Sequence, residues 1–251
     1  MMHILQLMGA FTWFEICCQG YRQCPCSESA PKWPRQDVFI SPRMYLVTNP
    51  ARLTPPSDRK AHPRNVGVPY GSNIVELPAN RANQYKYVVR FNGPAGGEDW
   101  SVVIWNKLGP DGIQGGWYGK ACREFTLAAG QTRFIVFDED SQGGWAAAPG
   151  TAIPLDSRGG YASTWGEFNF GSIVNDGWSG FDVSAIQAQN AGLEIQGMQI
   201  CDVLTHICSA ITRNASHVRK AYTRDVAHVG GIGGNLAPSP VRLQVALDYA
   251  K

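Results

Sequence analysis

From Tyr85 onward the chain alternates short runs of β-branched and aromatic residues with glycine-rich turns, and that alternation restricts it to an all-β architecture. The runs are Tyr85–Phe91, Trp100–Lys107, Arg123–Leu127, Thr132–Asp138, Glu194–Cys201 and Val241–Tyr249. In the first, Tyr85, Tyr87, Val89 and Phe91 alternate with Lys86, Val88 and Arg90, so one face is apolar and the other partly polar, as in an antiparallel sheet covered on one side. The turns carry their own chemistry: Asn92-Gly93-Pro94, Gly96-Gly97, Gly109-Pro110-Asp111-Gly112, Gly115-Gly116 and Ala129-Gly130. The expected fold is all-β, mainly an antiparallel β-sandwich. One short helix is predicted over residues 214–227, where Ala215, Val218, Tyr222, Asp225 and Val226 approximate a helical stripe behind an Asn214 or Ser216 cap. The run Gly230-Gly231-Ile232-Gly233-Gly234 then ends it. That run follows a helix instead of joining a strand to one, and it lacks the Lys-Ser/Thr of a phosphate loop, so it reads as a turn.

The chain divides near Asn65. Residues 1–64 hold 8 of the 22 Lys and Arg and 4 of the 20 Asp and Glu, a net of +4; residues 65–251 therefore hold 14 and 16, a net of −2. A slightly acidic main segment has no general attraction for polyanions, so nucleic acid is not an expected partner. The segment 1–64 reads as a leader or linker, disordered or a misassigned gene start, and 65–251 as a single β-rich domain. Ile4–Phe14 is apolar but is cut off by Glu15 and is too short to span a membrane. The seven cysteines split the same way: Cys17, Cys18, Cys24 and Cys26 before the boundary, Cys122, Cys201 and Cys208 after it. Cys201 and Cys208 flank a turn-like stretch and are read as a disulfide formed in an oxidising compartment. The spacing of the first four fits no zinc pattern. No metal and no cofactor are expected. Asn214-Ala215-Ser216 is an acceptor sequence for N-glycosylation, in keeping with secretion.

The stretch from Phe137 to Val183 concentrates carboxylates, glycines and indoles. Indoles and phenols can stack on the C–H face of a pyranose while carboxylates accept its hydroxyls. Trp145, Tyr161, Trp165 and Trp178 are the stacking candidates, and Asp138, Asp140, Glu167, Asp176 and Asp182 the hydroxyl acceptors. The same acids could do chemistry, because glycosidases place two carboxyls across the scissile bond. Asp138 or Asp140 with Glu167 or Asp182 would then be the catalytic pair. All five His lie outside this stretch and no Gly-x-Ser-x-Gly elbow occurs, so a serine hydrolase is not expected.

The words VGVPYGSNIVEL, WSVVIWNKLGPDG, WYGKA, FTLAAGQTRFIVFDEDSQGGWAAAPGTAIP, GGYASTWGEFNFG, NDGWSGFDVSAIQAQNAGLEIQGMQICD and GIGGN resemble the body of the Asp f four-type fungal allergens, over roughly Val66 to Asp248. The resemblance implies a secreted protein of the fungal surface or cell wall that binds host IgE, with no catalytic mechanism attached. FDVSAIQAQNAGLEIQGMQIC is also similar, over a short stretch, to thaumatin-like proteins, β-sandwiches with an acidic cleft that bind and in some cases cleave β-1,3-glucan. The function expected from residues and resemblance together is non-catalytic binding of cell-wall polysaccharide of the β-glucan type. The alternatives are a β-1,3-glucanase-like glycoside hydrolase, and a structural wall protein or effector without a small ligand.

Overall fold

The computed structural model describes residues 64–250. The expectations placed on 1–63, including Cys17, Cys18, Cys24 and Cys26, lie outside the described residues. In chain order the strands are β1 (Ile74–Leu77), β2 (Tyr87–Asn92), β3 (Trp100–Asn106), β4 (Arg123–Leu127), β5 (Thr132–Phe137), β6 (Ser141–Pro149), β7 (Trp165–Ser172), β8 (Trp178–Ser184), β9 (Met198–Asp202), β10 (Cys208–Ile211), β11 (Val218–Arg219), β12 (Gly234–Leu236) and β13 (Val241–Leu247). They form two sheets, β1-β5-β2-β13-β9-β10-β11 (sheet A) and β12-β8-β7-β6-β3-β4 (sheet B). Neighbours are antiparallel except β2 and β13, which run parallel from Val241↔Tyr87 to Ala246↔Asn92.

The core lies between the sheets. Val89, Phe91, Ile135 and Val245 of sheet A meet Val102, Ile104, Trp145, Phe168, Phe181 and Val183 of sheet B. Each fully buried large side chain contributes roughly 1.5–3 kcal/mol over its exposed state. Sheet B is covered on its other face too, where Val103, Trp105, Ala146, Ala148, Ile153, Tyr161 and Trp165 form a second apolar cluster under the loops that carry Trp117 and Ala121. A strand covered on both faces needs apolar or small residues throughout, and all of β3 and β7 is buried. Glycine makes room for the indoles. Gly166 lies opposite Trp145 in the β6–β7 register, and a methyl at 166 would overlap the Trp145 ring. Likewise a Cβ at Gly144 would stand 2.9 Å from Trp105 Cζ2.

The sandwich bears out the expected all-β fold, with two corrections to its parts. The helix expected over 214–227 does not form. The segment is a 3-10 turn at Arg213–Ala215, the short β11, and a second 3-10 turn at Arg224–Val226. Asn214, Ala215 and Lys220 have φ of 56°, 54° and 45°, which a right-handed helix forbids. The backbone bonds go elsewhere: Thr212 N–H donates to His217 O at 3.0 Å, and Tyr222 N–H to Val183 O at 2.8 Å, so tertiary pairing with β8 overrides the local stripe. The strand expected at Glu194–Cys201 begins only at Met198. Gly197 is pressed against the backbone of Tyr249, where no side chain would fit.

Cys201 and Cys208 face each other across β9 and β10 and are joined by a disulfide that closes the intervening turn. Among the described residues Cys122 carries the free thiol, half-buried.

Candidate functional site

The outer face of sheet B brings the polar candidates together. Alternate residues along a strand share a face, and the register stacks two rows across four strands. One row runs Trp105, Gly144, Glu167, Asp182. The next runs Lys107, Gln142, Asn169, Gly180, its first step made by the Lys107 N–H donating to Gln142 O at 2.8 Å. Glu167 and Asp182 are therefore direct cross-strand partners, and both are buried. Residues so placed have Cβ atoms ~4.5–5.5 Å apart.

Electrostatics mark this pair. Burial pushes Glu167 from an ordinary 4.5 up to about 8, against the opposing pull of the Lys107 ammonium. Burial also raises Asp182 well above the usual carboxylate range, and the negative charge of Glu167 raises it further. Two adjacent carboxyls in low dielectric hold on to protons because ionising both would set two unscreened charges side by side. Tyr222 faces the pair from the segment that follows β11. Burial, then Asp182 and Glu167, push its phenol up to about 12. Its hydroxyl accepts from the Ile232 N–H at 3.2 Å. Three polar atoms on this face, Trp105 Nε1, Asn169 Oδ1 and Asp182 Oδ1, are buried without a hydrogen-bonding partner among the described residues.

The other acids named from sequence stand apart from the pair. Asp138 Oδ2 accepts from Asn65 Nδ2 at 3.2 Å and its Oδ1 from the Glu139 N–H at 3.0 Å. Asp140, at φ 61°, accepts from the Ile173 N–H at 3.0 Å and faces Arg64 at 3.5 Å. Both pin the β5–β6 turn to the segments beside it and are not partners of Glu167 or Asp182. Asp176 lies exposed at a turn with φ 50°.

The stacking candidates need a similar correction. Trp145 is fully buried in the inter-sheet core, edge-on to Phe91 at 5.2 Å. Trp165 and Tyr161 pack around Trp105, at 4.9 and 5.3 Å between ring centroids. These three rings, all buried, have no face left for a sugar. Trp178 is half-buried at the start of β8, on the same face as Asp182.

Sequence reasoning missed an aromatic pair that is partly exposed. Trp117 is half-buried and Tyr118 is 37% exposed, their centroids 5.4 Å apart. Trp117 also reaches Trp165 at 6.1 Å, so an aromatic path leads from the rim to Trp105 in the carboxylate row. Around the rim stand Asp111, paired with Lys120 at 2.9 Å, and Asp156, whose Oδ1 accepts the Arg158 and Gly160 N–H groups at 2.8 Å each. The signal for Lys107 was its spacing of two from Trp105 at the end of a strand. Nothing local marked Tyr222, which arrives from a different part of the chain. Asn214 is exposed, and the Ser216 hydroxyl of its acceptor sequence bonds with Thr212 Oγ1 at 2.7 Å.

Among the described residues no group of three or more His, Cys, Asp and Glu is arranged to hold a metal, and no helix is long and apolar enough to cross a membrane. Residues 72–247 match the model of the Allergen Asp f 4-like domain. Allergen Asp f 4 of Aspergillus fumigatus is 53% identical over 185 residues, which cover 74% of this chain and 57% of that protein. The chain thus spans little more than half the length of that relative.

Proposed function

Because the chain belongs to the Asp f 4-like allergen family, we propose that it acts outside the cell, at the fungal surface, by holding cell-wall polysaccharide. The observation that supports this reading is the rim pair Trp117 and Tyr118. Rings on an exposed loop give the C–H faces of a sugar a flat apolar partner, and Asp111, Lys120 and Asp156 beside them supply hydroxyl-bonding groups. The platform is preformed: the Tyr118 N–H donates to Gly115 O at 3.1 Å and the Tyr161 N–H to Trp117 O at 3.0 Å, which holds two loops together. Trp178 offers a second contact further along the same face.

The test is retention of the whole protein on insoluble β-1,3-glucan, chitin and cellulose. The native protein is expected to be retained on at least one of them. Trp117→Ala and Tyr118→Ala are each expected to weaken retention at least tenfold, with little change in the thermal unfolding midpoint for Tyr118→Ala and a lowered midpoint for Trp117→Ala, whose ring packs on the second apolar cluster. Equal retention of variants and native protein would remove the rim from the reading, and passage through all three columns would remove the reading itself. Identity of 53% to a named allergen also favours recognition by IgE raised against that relative, which competition for serum IgE from patients sensitised to Allergen Asp f 4 would measure.

A further inference from the structure

In the whole sequence Asn214-Ala215-Ser216 is the one Asn-X-Ser/Thr triplet, so an N-linked glycan on this chain has a single address. The fold places that address on the turn between β10 and β11 and fixes the turn by its other groups. The Asn214 N–H donates to Ile195 O at 3.0 Å, and the Ala215 N–H to Thr212 O at 2.9 Å. Arg213 faces Glu194 at 3.6 Å and Asp248 at 3.4 Å, and Ala215 packs on the inter-sheet core. The Asn214 side chain is exposed and, among the described residues, makes no hydrogen bond of its own. Its left-handed backbone, with φ of 56°, suits asparagine, yet Ala215 beside it holds 54° without a side-chain amide, so the conformation of the turn does not by itself call for one.

The turn leads into an open edge. β11 is the last strand of sheet A, and beyond its pairing with β10 it meets no further strand among the described residues. An unpaired edge is a template for a strand of another chain unless something guards it. The other terminal strands carry guards in their own sequence: Glu76 in β1, paired with Arg133; Arg123 and Glu124 in β4; Pro238 and Pro240 just beyond β12. β11 has Arg219 but sets Val218 beside it, 44% exposed. Leu193, 39% exposed, stands next to Glu194, the partner of Arg213 on the same turn. β11 is two residues, roughly 7 Å, long, so an oligosaccharide rooted in the turn before it sweeps its whole length. We infer that Asn214 carries an N-linked glycan, and that this glycan covers the β11 edge and shuts it to pairing with a second chain. The inference rests on the extracellular reading above for the compartment in which the glycan is attached, and on nothing in the sugar-holding rim.

The donor in this transfer is an oligosaccharide linked to a lipid through a diphosphate. Asn214 Nδ2 attacks the anomeric carbon and a carbon–nitrogen bond forms. The bond from that carbon to the diphosphate oxygen breaks, the lipid diphosphate leaves, and one amide proton passes to a base of the transferring enzyme. In the folded turn the Ser216 hydroxyl, the second mark of the acceptor, is bonded to Thr212 Oγ1 at 2.7 Å, and the same oxygen accepts the His217 N–H at 2.8 Å. The acceptor is therefore engaged once the turn has formed, and the sugar is attached before that. The finished fold then leaves the glycan outside, because Asn214 is exposed and the bonds that hold the turn come from its neighbours and its backbone.

The experiment expresses the full chain in a fungal host and measures intact mass, peptide map and size-exclusion elution, before and after an amidase that removes N-linked glycans. Asn214→Gln and Ser216→Ala remove the acceptor, whereas Ser216→Thr keeps it. The native protein and Ser216→Thr are expected in the medium, heavier than the chain by one oligosaccharide, which the amidase takes off to leave aspartate at 214. The other two variants are expected to carry no sugar. Those two, and the native protein after the amidase, are expected to elute as dimers or larger species where the glycosylated forms elute as monomers. The amidase arm does not depend on any variant folding. Native protein that reaches the medium without a glycan overturns the inference and leaves the extracellular reading standing. Native protein that stays in the cell without a glycan overturns both. A glycan at Asn214 whose removal leaves a monomer overturns the covering of the edge and upholds the modification.

Discussion

At the scale of single residues, Glu167 carries the clearest consequence for stability. Its carboxyl titrates near 4.5 when exposed and at about 8 in the fold. Between those values the folded protein holds a proton that the unfolded chain has released. Unfolding free energy therefore falls as pH rises from about 4.5 to about 8, by an amount on the order of a few kcal/mol. Asp182 acts in the same direction. Glu167→Gln cannot ionise, so urea denaturation across that range should show a flatter dependence and a variant more stable than the native protein at pH 8. An unchanged slope would mean that another group sets it. Glu167 and Asp182 were legible in the sequence as acids within an aromatic, glycine-rich stretch. That they oppose each other was not, because a strand register depends on where β7 and β8 begin, and a bulge between Asn169 and Ser172 shifts it.

At the scale of elements, legibility followed burial. β2, β4 and β5 alternate or end in plain turn chemistry, and their expected bounds fall within two residues of those observed. β6, β7 and β8 were not among the runs marked as strands. Covered on both faces, they lack a period of two, and their Gly, Ala and Trp residues are chosen for how they nest across the sheet and not for strand propensity. The β9–β10 hairpin makes its own prediction. Its disulfide closes a loop with a sequence separation of 7, and the chain-entropy model assigns such a loop about 2.5 kcal/mol. Cys208→Ser should lower the unfolding free energy by about that amount. Denaturant titration of the two proteins measures it, and no difference would show that the hairpin is held by its neighbours alone.

At the scale of the whole molecule, sheet A is organised around its latest strand. β13 lies between β2 and β9 and bonds to both. Arg242 extends the connection: its guanidinium donates to the carbonyls of Tyr85 and Lys86 at 2.8 Å each, and its N–H to Asp202 Oδ1 at 3.0 Å. Removal of residues 241–251 should therefore abolish folding instead of fraying an edge, observable as loss of the cooperative thermal transition and of near-ultraviolet dichroism. A truncated chain that still melts cooperatively would show the two halves of sheet A to be self-sufficient. The sequence marked Val241–Tyr249 as a strand, but a run of alternating residues does not say which neighbours it will choose.

That placement also sets a timetable. A ribosome makes the chain from its amino end, and β1 to β12 emerge while the central slot of sheet A is still open, with the unpaired edges of β2 and β9 exposed to whatever is nearby. The sandwich can close only after β13 has left the exit tunnel, so the chain has to be held soluble until that strand has emerged. Its handling by chaperones while that slot is open, more than its final stability, will then decide how much of it folds.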